Sequence, residues 1–238
     1  SQINDHIGDS VLDLYTVGKL SGLTEVLFIE RCIRLLKPGG RLGIVLPEGV
    51  LNNTNLQAVR ELFEEMAKII LITSIPQDVF MASGATVKPS LLFFKKFTTE
   101  ERAQFDAIKQ AATEEVGSKY QSQLDKIDSF LAERGNSAEE KKAKRAERRA
   151  LETKIAAEIW AIVKEKFDYT IPIAQVEKAG ITTTGAECEN QLIDLLEEFT
   201  PYRKKHHMWA SNELKFHYEI VDNKVVRTDQ DGNTKELC

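Results

Sequence analysis

Between residues 24 and 36, Val26, Ile29, Ile33 and Leu36 recur at spacings of three and four, while Glu30, Arg34 and Lys37 fall on another stripe. That pattern predicts an amphipathic helix. Thr24 is placed to cap it, Glu25 suits the positive end of the helix dipole, and Lys37-Pro38-Gly39-Gly40 supplies a basic last turn followed by breakers. Arg41-Leu42-Gly43-Ile44-Val45-Leu46 then runs without polar alternation, as expected of a strand buried on both faces, and Pro47 ends it. From 55 to 68, Leu56, Val59, Leu62, Phe63 and Met66 predict a second helix, and Ile69-Ile70-Leu71-Ile72-Thr73 a second buried strand. Residues 90–95 read as a third strand. The segment 77–89 before it is too short for a helical crossover, so this strand returns antiparallel. Alternation of helix and strand with one antiparallel return predicts an α/β fold with a mixed sheet.

From Thr99 the composition shifts to Glu, Lys, Arg, Ala and Gln, with Phe105, Ile108, Leu124, Ile127 and Leu131 spaced as on long helices. Gly135-Asn136-Ser137 breaks this region, which predicts a helical hairpin over 99–167 whose far end projects into solvent. Residues 169–184 read as extended and loop-like, and 189–199 as helical. Residues 217–221 and 224–227 read as a hairpin about Asp222-Asn223. Three regions result: 1–98, 99–167, and a C-terminal 168–238 of helix plus hairpin.

The chain has 238 residues, 42% hydrophobic and 29% charged, which excludes disorder throughout. With 32 basic against 37 acidic side chains and a net charge of −5, no global positive field draws it onto nucleic acid, and any such contact must be local. The densest basic stretch, residues 141–149, suits either DNA phosphates or a solvated helix face. Cys32, Cys188 and Cys238 are far apart and odd in number, so they are expected to be reduced thiols. No metal is assigned, because His6, His206, His207 and His217 form no ligand spacing with a carboxylate. The sequence contains no apolar run long enough for a membrane span and its first twenty residues lack the order of a secretory signal, which makes the cytoplasm the expected location and a membrane no partner.

The string LFIERCIRLLKPGGRLGIVLPEGVL, residues 27–51, resembles the segment following the catalytic motif in adenine-specific DNA methyltransferases of the type I restriction-modification family, the modification (M) subunits. PQDVFMASGATVKPSLLFFKK, residues 76–96, is similar to that family's late loop and buried strand, and EKAGITTTG with ENQL resembles its C-terminal part. The resemblance implies the C-terminal part of a Rossmann-like class I methyltransferase sheet, mixed, with its last strand antiparallel, followed by a helical hairpin and a small α+β region. It implies S-adenosylmethionine as cofactor and DNA as substrate. A specificity (S) subunit, and an endonuclease (R) subunit in some assemblies, are the implied protein partners.

The sequence also departs from the family. The family binds its cofactor through a glycine-rich turn and grips the flipped adenine with an Asn-Pro-Pro-aromatic tetrad. Neither is present: Pro38, Pro47, Pro76, Pro89, Pro172 and Pro201 are the only prolines, none preceded by Asn or adjacent to another. The expectation is therefore a C-terminal fragment, inactive and without bound cofactor on its own, starting at Ser rather than Met. One long strand edge beside residues 41–46 should then be unpaired, to be covered by the N-terminal segment or by a second copy.

Among site residues, Phe80 sits where the family places an aromatic that stacks on the flipped base, and its alternative is a core anchor for the loop. Pro47 and Glu48 fall at the C-terminal end of a strand, the edge where α/β sheets bind ligands. Glu48 faces that cleft or serves as a helix N-terminal partner, the second being preferred. Ser83, Gly84, Thr86 and Lys88 are placed to contact phosphate, or form a solvated loop. Rival readings are a non-catalytic protein-assembly module, and another class I methyltransferase acting on RNA or protein.

Overall fold

In the computed structural model, which describes residues 12–133, 135–208, 216–221, 224–229 and 233–237, helix α1 spans Thr24–Leu35. Leu23, not Thr24, takes the cap position, and Thr24 is the first helical residue. The stop follows the sequence closely. Gly39 adopts φ 73°, which glycine reaches without a Cβ penalty, and its N–H donates to the carbonyls of Lys96 and Phe97 at 3.1 and 3.2 Å. The Lys96 ammonium donates to the carbonyls of Leu36 and Arg34 at 2.8 and 3.2 Å, satisfying acceptors that the end of α1 leaves open.

The turn delivers the chain into β1 (Arg41–Pro47). Helix α2 (Gln57–Glu64) is shorter than the spacing predicted, because Thr54–Leu56 is a 3-10 turn started by the Asn53 side chain accepting from Asn55 N–H. Then come β2 (Ala67–Ser74) and β3 (Pro89–Lys96). Strand β3 lies antiparallel between β1 and β2, with Ile44 opposite Leu92 and Thr73 opposite Leu91. A fourth strand, β4 (Ile173–Gln175), pairs parallel with β2 inside the segment expected to be loop. The sheet is therefore mixed, in the order β1-β3-β2-β4. Among the described residues β1 pairs only with β3, so its other ladder edge is open. Cover by the first residues of the chain lies outside the described residues.

One sheet face is sealed. Leu46, Leu92 and Phe94 pack with Val26, Ile29 and Ile33 of α1 and Val59 and Phe63 of α2 into a core, where Phe63 meets Phe94 edge-on at 6.3 Å. Glu30 belongs to this core rather than to a polar stripe: it is fully buried. Its carboxylate accepts from the backbone N–H groups of Thr16 and Val17 at 3.0 and 2.8 Å and pairs with Arg34. The burial is permitted because the charge is matched and hydrogen-bonded. The other face corrects the expectation of a doubly buried β1, since Val45 is 49% exposed.

Helices α3 (Thr99–Ala132) and α4 (Ala138–Lys166) form the hairpin, each opened by a capping box, Thr98 with Glu101 and Ser137 with Glu140. Its base is fixed by an aromatic cluster of Phe97, Phe105 and Phe167, with Trp160 edge-on to Phe105. Val163 is the one buried residue of α4, so the charged end is exposed. Strands β5 (Ala179–Ile181) and β6 (Glu187–Asn190) precede α5 (Gln191–Lys205). The expected C-terminal hairpin appears as β7 (Phe216–Val221) and β8 (Lys224–Asp229), extended by a third strand, β9 (Thr234–Leu237). Its turn at Asp222-Asn223 lies outside the described residues.

Candidate functional site

The C-terminal ends of β1 and β2 and the start of β3 share one edge of the sheet, and the loop 76–88 rises from it. Pro47 lies opposite Pro89, Glu48 N–H donates to the Lys88 carbonyl at 3.0 Å, and the Lys88 ammonium meets the Glu48 carboxylate at 3.4 Å. Pro47, Glu48 and Lys88 are thus brought together although 40 residues separate the charged pair. Glu48 does not act as a helix N-terminal partner. It stands before the short helix Gly49–Asn52, but its carboxylate makes no cap hydrogen bond there and turns to Lys88 instead. Both side chains are more than a third exposed, so this pair orients the loop more than it stabilises the fold.

The loop is held by its own backbone. Ile75 N–H donates to the Pro89 carbonyl at 3.3 Å, closing the neck. Within it, the Phe80 carbonyl accepts from the Ser83 hydroxyl at 2.8 Å and from the N–H groups of Ser83 and Ala85 at 3.1 and 3.0 Å. Gly84 turns the chain at φ 83°, with nothing within 4 Å of the Cβ it lacks, and Gln77 donates its side-chain amide to the Thr86 carbonyl. Ser83 therefore serves the loop's own turn, while Gly84 and Thr86 are exposed at its rim. Phe80, in the single helical turn Asp78–Met81, is half-buried, a position that leaves part of the ring accessible.

A neighbour of this loop was not singled out from the sequence. The β5–β6 hairpin packs beside Asp78–Met81, and Ala82 lies 3.5 Å from where a Cβ on Gly185 would stand. This brings Thr182 and Thr184, whose hydroxyls are 3.1 Å apart, to the same edge. The run of threonines before a glycine was the available signal.

At the opposite end of the sheet the cross-strand row Arg41, Lys95 and Lys68 sets like charges on adjacent strands. Glu101 answers two of them, accepting from Lys68 at 2.9 Å and Lys95 at 3.2 Å. Burial works to raise the Glu101 carboxyl, but the Thr98 N–H and the two ammonium groups outweigh it and hold it below the ordinary carboxylate value. Beside it the Tyr169 hydroxyl, accepting from Ile69 N–H at 3.2 Å, is pushed up to about 12, chiefly by burial.

In the basic stretch 141–149, Lys144 pairs with Glu147 at 2.7 Å and Arg148 with Asp128 and Glu152 at 2.9 and 3.1 Å. Cys32 and Cys188 are free thiols, and no group of three or more His, Cys, Asp and Glu is placed to hold a metal among the described residues. No helix of the described residues is long and apolar enough to cross a membrane. S-adenosylmethionine does not fit what is present at the loop edge: β1 is followed by Pro47-Glu48-Gly49 and a four-residue helix rather than by a glycine-rich turn opening a long one.

Comparison with curated proteins finds no match. Among solved structures, the chain is similar to a putative class I S-adenosylmethionine-dependent methyltransferase from Listeria monocytogenes, at 23% identity over 40% of this chain and 29% of that one, with a TM-score of 0.35. It is also similar to a chain in a structure of the assembly and conformational transition of a type I restriction-modification system, at 34% identity over 32% of this chain and 16% of that one, with a TM-score of 0.29. The chain thus spans less than a third of either protein, and at these TM-scores the overlap is local. The sequence profile described as N-6 DNA Methylase is far broader, matching residues 19–167, from the turn before α1 through the sheet, the loop and both hairpin helices. With more than half its length inside that profile, the chain belongs to the N-6 DNA methylase family.

Proposed function

We propose that this chain supplies the base-handling edge of an adenine-N6 DNA methyltransferase of a type I restriction-modification system, as part of its modification subunit. The observation that carries the reading is the family profile running unbroken over the sheet edge and its loop, residues 19–167. On this reading the open ladder edge of β1 pairs with the strand that brings the Asn-Pro-Pro-aromatic tetrad and the cofactor turn. These residues alone are inactive and bind no S-adenosylmethionine. Without that strand, the same edge pairs with a second copy.

The roles of the residues present follow from the loop. The half-buried ring of Phe80 stacks on an adenine swung out of the duplex, which is worth about 1–3 kcal/mol per base. Gly84, lacking a side chain, and Thr86 let DNA phosphate approach the rim, and Lys88 adds charge, while Glu48 fixes where that charge sits. Pro47 ends the strand so that the loop begins at the cleft. The specificity subunit docks on the exposed length of the helical hairpin, and an endonuclease subunit joins the complex.

The test uses a single-stranded oligonucleotide carrying 2-aminopurine and, separately, S-adenosylmethionine calorimetry. Stacking should quench the fluorescence, and Phe80→Ala should remove the quench and weaken binding by about 5- to 100-fold. S-adenosylmethionine should give no heat. Quenching indifferent to Phe80→Ala would remove the stacking role, and saturable heat with S-adenosylmethionine would show that the cofactor cradle lies within these residues.

A further inference from the structure

The sheet face turned away from the core bears a groove of about 1040 Å³, floored by Gly43, Leu71, Leu91 and Phe93 and walled by α5. The floor is flat for a local reason: a Cβ on Gly43 would come within 2.9 Å of the Phe93 ring, so glycine lets that ring lie across β1. The wall is a stripe of Leu192, Leu195, Leu196, Phe199 and Arg203, at the spacing that keeps one helix face on one side. Yet α5 has no buried residue, and Leu196 is 64% exposed. A helix with an apolar stripe beside an apolar sheet face, neither sealed, leaves room for a second helix in the same layer.

Charge identifies the occupant further. Lys37, Arg41, Lys95 and Arg203 line the groove, and no carboxylate does. Arg41 and Lys95 are cross-strand partners at the end of the sheet remote from the Glu48 edge, and α5 ends near them in Arg203, Lys204 and Lys205. A helix's own first turn favours acidic residues, so an occupant running antiparallel to α5 sets that turn against these cations.

We propose that this groove docks an amphipathic helix of a partner protein, of about three turns, apolar on one face and acidic in its first turn. The inference does not depend on the methyltransferase reading, since the groove opens away from loop 76–88 and either can fail alone.

The test is fluorescence polarisation with two labelled synthetic peptides of about 14 residues, both with leucines on one helical face, one with glutamates and one with lysines in the first turn. The acidic peptide should bind saturably and about tenfold more tightly than the basic one. Leu196→Glu, at an exposed position, should weaken it at least about tenfold, with circular dichroism and thermal melting showing the fold retained. Lys37→Glu, also at an exposed position, should weaken the acidic peptide and strengthen the basic one. Failure of both peptides, equal binding of the two, or indifference to Leu196→Glu overturns the proposal. So does a concentration-dependent dimer of the protein alone that Leu196→Glu abolishes, which would make a second copy the cover.

Discussion

The two faces of the sheet are built from the same short run of sequence and have opposite fates. Ser-Leu-Leu-Phe-Phe sends Leu92 and Phe94 into a core where they are 2% and 1% exposed, while Leu91 and Phe93, one residue away each, floor an open groove. Because side chains alternate across a strand, the difference lies in what each face meets. The core face meets α1 and α2, whose apolar stripes close over it; the other meets only α5, set to one side. A continuous apolar run therefore reports that both faces of a strand are made to be covered, and not that the chain itself covers both.

That contrast can be broken by mutation. Phe94→Ala should cost about 3–5 kcal/mol in urea unfolding, through the cavity left among Phe63 and the α1 residues. Phe93→Ala, on the groove face, should cost about 1 kcal/mol, and equal losses would show that the two faces are packed alike. Glu30→Ala should cost about 3 kcal/mol, since it orphans two backbone N–H groups and leaves Arg34 without its carboxylate.

A smaller effect is expected on the cationic row. Glu101→Gln should destabilise the protein by about 1–3 kcal/mol at neutral pH by leaving Lys68 and Lys95 facing one another. The sign with pH follows from the Glu101 carboxyl being held low. Its contribution is present above the ordinary value of 4.5 and is lost as pH falls through its lowered value. The gap between the parent protein and Glu101→Gln, measured by urea unfolding, should narrow at acid pH. Smallest of all, Leu196→Ser on the groove wall should change stability by no more than about 0.5 kcal/mol.

Much of the sheet was legible. The Lys37-Pro38-Gly39-Gly40 turn and the antiparallel return of residues 90–95 rest on local chemistry, so the sequence displays them. Glu30 was not legible, because its partners are backbone N–H groups of Thr16 and Val17, which no spacing of side chains records. Strand β4 was missed because three residues at a sheet edge carry no period, and its place depends on an element about a hundred residues earlier. At the candidate site, Glu48 and Lys88 were both noted, but their pairing needs the β1–β3 register. Phe80 and Gly84 could be placed on the loop, whereas the neighbouring Thr182 and Thr184 enter only through a tertiary contact. The groove was invisible for the same reason, being assembled from four separate elements.

The position of β4 has a consequence for synthesis. Its partner β2 is complete at Ser74, but Ile173–Gln175 emerges only after both hairpin helices have been made. Until then the outer edge of β2 is bare on the ribosome, at the stage when nascent chains are most apt to aggregate. The hairpin contacts are local and form early, and its return at Phe167 brings the last strand back beside the first three. The long arm thus doubles as a carrier that shortens an otherwise distant closure.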